Sequence, residues 1–107
     1  MILPSARDRS ALRASVIKAL AHPSRVLIAE ALADGELPVG DLTELVGADI
    51  STISKHLSIM KQVGLVESEK RGLQQFYRLT CPCLTSFFEC VDSIARTHSE
   101  SQLSHCC

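Results

Sequence analysis

The sequence predicts a mainly helical domain carrying one β-hairpin, and three observations lead to that expectation. Hydrophobic residues make up 46% of the 107-residue chain, but aromatic residues only 4%, and Trp is absent. A core must therefore be built from Leu, Ile, Val and Ala, which suits packed helices better than a β-sandwich. Apolar positions recur at helical spacing over most of the chain, and after Gly64 the period changes to 2 until Thr80. The length is that of one domain, residues 1–107, with a core over about 10–97 and a flexible tail over 98–107.

The elements follow from local signals. Leu12, Val16, Ile17 and Leu20 mark a first helix from Ser10, entered through the polar Arg7, Asp8 and Arg9. Pro23 sits at a first-turn position of a second helix with Val26, Leu27, Ile28, Ala31 and Leu32, stopped at Asp34-Gly35. Pro38 opens a short third helix with Val39, Leu42, Leu45 and Val46, and Gly47 closes it. Asp49 or Ser51 then caps a fourth helix whose apolar set is Ile53, Leu57, Ile59, Met60 and Val63, and Gly64 ends it. So short a turn between the third and fourth helices is a helix-turn-helix pattern. The runs Leu65 to Lys70 and Leu73 to Leu79 form a hairpin around Arg71-Gly72. Pro82 starts a last helix with Leu84, Phe87, Phe88, Val91, Ile94 and Ala95 on one side, expected to be buried.

Charge is uneven along the chain. Net charge is −1, but residues 51–80 hold five basic residues against two acidic ones, while the remainder holds six against ten. One segment is thus electropositive on an acidic chain, the footprint of a phosphate-binding face. A helix in the major groove meets base edges with its first turns, which calls for short polar side chains there and cations nearby. Ser51, Thr52, Ser54, Lys55 and His56 have that character, and Lys70, Arg71 and Arg78 add cations on the hairpin. Double-stranded DNA is the expected partner. His22 is expected to be structural, and Arg25 to be either a phosphate contact or a buried ion-pair partner.

No stretch approaches the roughly 18 to 20 apolar residues that span a bilayer, and nothing marks the N-terminus for export. A cytoplasmic protein with no membrane partner is expected. Five cysteines in a reducing compartment read as a thiolate or redox set rather than as a disulfide framework.

The runs ALAHPSRVLIAEAL, DLTELVGADISTISKHLSIMKQVGLV and the hairpin ending in FYRL resemble the ArsR/SmtB family of metal- and metalloid-responsive repressors over about residues 12–97. The most specific piece is STISKHLSIMKQVGLV, with Ser54, His56 and Leu57 in the family's recognition-helix pattern. The resemblance implies a winged helix-turn-helix that dimerises through its first and last helices, binds an inverted-repeat operator and is released by an effector. The apolar surface of the last helix, more than so small a domain readily covers, points to a homodimer independently.

Arsenic-sensing relatives carry ELCVCDL at the third helix, and this chain has ELPVGDL, so Pro38 and Gly40 replace the two cysteines and Thr43 follows where another often sits. In the branch that senses zinc, cobalt or nickel, aligned on the Tyr-x-Leu closing the wing, Cys81 and Cys83 fall on the Asp-x-His pair, and Ile94 and Thr97 on two histidines. That departure favours a softer ion. Cys81 and Cys83 at a helix start, where the dipole favours thiolate, are therefore the candidate ligands for trivalent arsenic or antimony. Cys90 is either a third ligand or a packed apolar residue. It lies roughly 10 Å along the helix from Cys83, so it would have to come from the partner protomer. Cys106 and Cys107 are possible accessory ligands or a redox-sensitive tail, and His98 and His105 read as surface residues.

No permanent cofactor is expected. Cadmium, lead or zinc on the same sulfurs with a fourth ligand, and thiol oxidation or persulfide formation, are alternative triggers. A thiol oxidoreductase is disfavoured because the chain lacks strand-helix alternation, and no nucleophile, base and acid set can be assembled for other catalysis.

Overall fold

The computed structural model describes residues 5–100. Five helices, α1 (Ala6–Leu20), α2 (Pro23–Ala33), α3 (Val39–Val46), α4 (Ile50–Gln62) and α5 (Leu84–Glu100), surround a small sheet of β1 (Leu37–Pro38), β2 (Val66–Arg71) and β3 (Gln74–Leu79). All pairings are antiparallel in the order β1-β3-β2. This is a winged helix-turn-helix, with α3 and α4 as the helix pair and β2-β3 as the wing.

Capping chemistry sets the helix ends. Ser5 and Asp8 form a reciprocal capping box that starts α1 earlier than Ser10. The Nδ1 of His22 accepts from the Ser24 N–H at 3.1 Å, and Pro23 follows at a first-turn position where its missing donor costs nothing. Asp49 is the cap of α4, accepting from the Thr52 N–H at 2.9 Å. At the end of α4, Gly64 takes a left-handed φ of 85°. That reversal lets the Leu65 N–H bond back to the Met60 carbonyl at 2.9 Å and turns the chain into β2.

The core lies between α2, α3, α4 and the base of the wing. Ile28, Leu42, Ile53, Leu57, Met60 and Val66 are fully buried, joined by Ala19, Leu20, Ala29, Leu32, Leu65 and Leu79. Ile53, Leu57 and Met60 share one face of α4, so the opposite face is turned to solvent.

Several expectations need correction. The sheet has a third strand, because Leu37 and Pro38 pair with Tyr77 and Phe76. The hairpin tip is Gly72-Leu73 rather than Arg71-Gly72: Arg71 pairs with Gln74, and Gly72 supplies the positive φ of 62°. Leu73 is consequently fully exposed instead of lying in a strand. The last helix begins at Leu84, not Pro82, after a turn in which the Leu84 N–H bonds the Cys81 carbonyl at 3.0 Å. It continues through 98 and 99, which were expected to be tail. Its apolar side is not buried within the protomer: Phe87 is 40% exposed, Val91 44% and Ile94 60%, while the half-buried Leu84 and Phe88 pack against the core.

Candidate nucleic-acid interface and thiol pair

The outward face of α4 begins at its N-cap. Ser51, Thr52, Ser54 and Lys55 are all exposed, as the amphipathic period requires once Ile53 and Leu57 are buried. The Ser51 hydroxyl donates to Asp49 Oδ1 at 3.1 Å. These bonds, the Thr52 main-chain bond foremost, hold the Asp49 carboxyl below its ordinary range. Ser58 and Gln62 continue the same exposed face. The sequence reading stopped at the first two turns, although the 3.6 period itself carries Ser51 forward to Ser58 and Gln62.

His56 is placed differently from those four residues. It is half-buried, with its ring 4.4 Å from that of His22 and tilted by 50°. Its Nδ1 accepts from the Arg25 Nε–H at 3.2 Å, and Arg25 also donates to the Ala19 carbonyl at 3.0 Å. Burial first, then His22 and Arg25, hold His56 below the ordinary histidine pKa. Arg25 is thus not the buried ion-pair partner that was one of the two expectations for it. Its guanidinium bonds a neutral ring and a carbonyl, because the N-terminus of α2 lies against α4 at this point.

The wing is less cationic than its sequence. Arg71 forms a two-pronged pair with Glu36, its second prong 3.1 Å long, and reaches Glu69 at 3.0 Å. Its guanidinium lies 4.7 Å over the Phe76 ring, and these carboxylates push its pKa further up. Arg78 pairs with Glu67 at 2.9 Å, its cross-strand neighbour, and with Glu69 at 3.9 Å. Two guanidinium groups therefore meet three carboxylates, and the positive balance counted over residues 51–80 is cancelled on the wing by Glu36, brought in from the loop before β1. Lys55 and Lys70 are exposed outside these ion pairs, and the Lys61 ammonium donates to the Ser68 hydroxyl at 2.8 Å, tying α4 to β2. Such exposed pairs are weak and screened by salt, so phosphate oxygens can compete for both arginines.

The wing is joined to α5 by a short, well-bonded segment. Thr80, which sequence reasoning passed over, donates its hydroxyl to the Gly64 carbonyl at 2.6 Å and its N–H to the Leu65 carbonyl at 3.0 Å. It pins the end of β3 to the end of α4. Cys81 follows immediately, and its sulfur is closed onto that of Cys83 as a disulfide, their Cα atoms 5.3 Å apart, in the exposed turn before α5; the expected thiolates are the reduced form of this pair. A bonded pair has no thiolate to offer an ion, so ligation would require reduction first. Cys90 is half-buried one helical stretch further on. Among the described residues no three His, Cys, Asp or Glu side chains stand together as a metal-holding group. The three-sulfur site drawn from Cys81, Cys83 and Cys90 is therefore not assembled within the described protomer. Cys106, Cys107 and His105 lie outside the described residues.

A second exposed feature is apolar. Leu12, Val16, Ile17 and Leu20 of α1, with Leu84 and Phe87 of α5, line a groove open to solvent. No helix among the described residues is long and apolar enough to cross a membrane.

Comparison with known proteins agrees with this architecture. The model of the "Bacterial regulatory protein, arsR family" matches residues 22–68, which run from the α2 cap into the wing. A biofilm growth-associated repressor from Agrobacterium fabrum is 36% identical over 77 residues, 72% of this chain and 66% of that protein. The chain spans just under two thirds of that relative's length and 59% of its Xylella fastidiosa counterpart. Among solved structures, the homodimeric winged helix-turn-helix DNA-binding domain of Mb0332 from Mycobacterium bovis, described as a possible ArsR-family regulator, superposes with a TM-score of 0.74 at 33% identity. The match covers 98% of this chain and 99% of that one. Reduced HlyU from Vibrio cholerae gives a TM-score of 0.71 at 31% identity, covering 78% of this chain and 87% of that one.

Proposed function

The chain belongs to the arsR family of bacterial regulatory proteins, and from that membership we propose that it is a transcriptional repressor. It binds operator DNA as a homodimer and lets go when an agent takes both thiols of Cys81 and Cys83. The family is one of DNA-binding regulators rather than enzymes. The solvent-facing side of α4 suits a major groove, with Ser51, Thr52, Ser54, Lys55, Ser58 and Gln62 as the reading face. Lys70, Arg71 and Arg78 are assigned to phosphates. The exposed apolar side of α1 and α5 suits a second copy of the chain, in keeping with the homodimeric Mycobacterium bovis relative.

The observation that carries the effector reading is the closure of Cys81 onto Cys83 directly after Thr80. The two sulfurs converge at the one joint that links the wing to the dimer helix, so a change there acts on both surfaces. Two kinds of agent can close on two neighbouring thiols. Trivalent arsenic or antimony does so by condensation: As(OH)3 forms two As–S bonds and releases two waters. A third sulfur, from Cys90 of a second copy or from Cys106 or Cys107, would release the third water. Two-electron oxidation does so by removing one proton and one electron from each thiol to form the S–S bond, with a peroxide leaving as two waters. Both readings draw on the same closeness of the two sulfurs. Cadmium, lead or zinc fit less well, since each calls for a larger donor set than this pair supplies.

The test is fluorescence anisotropy on a duplex that the protein selects from a random pool. Fully reduced protein is titrated with arsenite, antimonite, cadmium, zinc or hydrogen peroxide, beside the Cys81→Ser/Cys83→Ser variant. Release by arsenite under reducing conditions assigns the metalloid, and release by peroxide alone assigns oxidation. Release of the variant as readily as the parent removes the pair from the function.

A further inference from the structure

We infer that His56 is a positioning residue, not a base-reading one: with Arg25 and His22 it forms a proton-sensitive clamp that fixes the angle of α4 against α2. The inference rests on the reading above that α4 enters DNA. Three contacts support it. The Arg25 Nε–H donates to His56 Nδ1 at 3.2 Å, the His22 ring lies 4.4 Å from the His56 ring, and Arg25 is anchored on the Ala19 carbonyl at 3.0 Å. The clamp thereby connects the C-terminal turn of α1, the first turn of α2 and the middle of α4. It lies on the flank of α4, beside the core residues Ile53 and Met60 and away from the exposed Ser51 and Lys55.

The bonding fixes the protonation state. A guanidinium only donates, so Nδ1 of His56 must be the bare nitrogen and the ring's proton sits on Nε2. The Nδ1 of His22 also accepts, from the Ser24 N–H that caps α2. A second proton on His56 would turn its Nδ1 into a donor aimed at another donor, and would set an imidazolium beside a guanidinium. α2 faces the ring with His22 and Arg25, and α1 contributes the Ala19 carbonyl. Among the described residues His22 and Arg25 are the two side chains that act on His56, and both disfavour its second proton. Acid therefore opens the clamp instead of strengthening it, and α4 loses its fixed angle while the core residues beneath it stay packed.

The experiment measures affinity for the selected duplex, and for every single-base variant of it, from pH 7.5 to 5.5. It compares the parent, His56→Ala, Arg25→Ala, the double variant and His56→Gln, with circular dichroism melting recorded for each. A clamp acting as one unit predicts that each alanine variant weakens binding about tenfold, the scale of one buried hydrogen bond, and that the double variant is no worse than either single. Base preference stays unchanged in all of them. The parent's affinity falls only once pH is below 6.5, because the folded ring takes up its proton less readily than a free imidazole, whereas His56→Gln, which can still accept from Arg25, keeps most of the affinity and loses the acid dependence. Additive losses, altered preference at one base pair in His56→Ala, or a parent pH profile matched by His56→Gln would overturn the inference. Should the alanine variants not fold, the His56→Gln pH profile decides alone. Parent-like binding by both Ser54→Ala and Lys55→Ala would overturn the assignment of α4 to DNA, and this inference with it.

Discussion

Replacing Glu36 by Gln should strengthen DNA binding, and the wing geometry sets by how much. Arg71 gives both prongs of its guanidinium to Glu36 and a further bond to Glu69, with 43% of its side chain exposed. A phosphate oxygen must displace these carboxylates to take Arg71, so each carboxylate lowers the occupancy of that contact. One fully formed phosphate contact changes the slope of log affinity against log salt by about 0.9. Over a fourfold rise in salt, from about 50 to about 200 mM, that slope amounts to a factor of roughly 3.5 in affinity. Glu36→Gln should therefore bind more tightly at low salt with a slope steeper by up to about 0.9, and Arg71→Ala should bind more weakly with a shallower slope. The double variant should fall back to the Arg71→Ala line, because removing a negative charge helps chiefly by freeing that guanidinium. Anisotropy titrations at four or more salt concentrations read all three slopes. Parent-like slopes for both single variants would refute the assignment of Arg71 to phosphate. A double variant that keeps the full gain would refute the route through Arg71.

Other substitutions test the remaining parts of the account. Phe87→Asp or Val91→Asp, both on the exposed side of α5, sets an unpaired charge in the proposed α1–α5 seam and should yield monomers with weakened operator binding; sedimentation showing intact dimers for both would move the seam elsewhere. Ile53→Ala, at a position with no exposure, should cost about 2 to 5 kcal/mol of stability, read from denaturant unfolding, while Ser54→Ala leaves stability unchanged and alters binding. Because the folded His56 pKa lies below the unfolded value of 6.5, the unfolded chain takes up its proton first. Its contribution is thus intact above about pH 7 and is lost as pH falls through 6.5. Asp49 and Glu69, both held below their ordinary values, add a second loss that begins only as pH falls through the carboxylate range. Unfolding measured from pH 8 to 3 should show both stages, and His56→Gln should remove the first alone.

Legibility in the sequence followed the range of the interaction. The limits of α2, α3 and α4 could be read because Pro23, Gly47, Asp49 and Gly64 act on the backbone within one turn of themselves. β1 could not, since two residues carry no period and Leu37 becomes a strand only by meeting Tyr77. The outward side chains of α4 were readable from the period that buries Ile53 and Leu57. The inward turn of His56 was not, because it depends on Arg25, 31 residues earlier. Likewise the charge count over residues 51–80 missed the neutralised wing, since Glu36 lies 35 residues from Arg71. The closeness of Cys81 and Cys83 was evident from their spacing. The turn that the Cys81 carbonyl closes with the Leu84 N–H holds them in the same short segment.

Control of DNA binding is assigned to Cys81 and Cys83. Its most direct test is release of a selected duplex from fully reduced parent and from Cys81→Ser/Cys83→Ser, each titrated with arsenite and, separately, with hydrogen peroxide. The account predicts equal affinity before titration, release of the parent by at least one of the two agents, and no release of the variant by either. A variant that lets go at the parent's concentrations of both agents would contradict it.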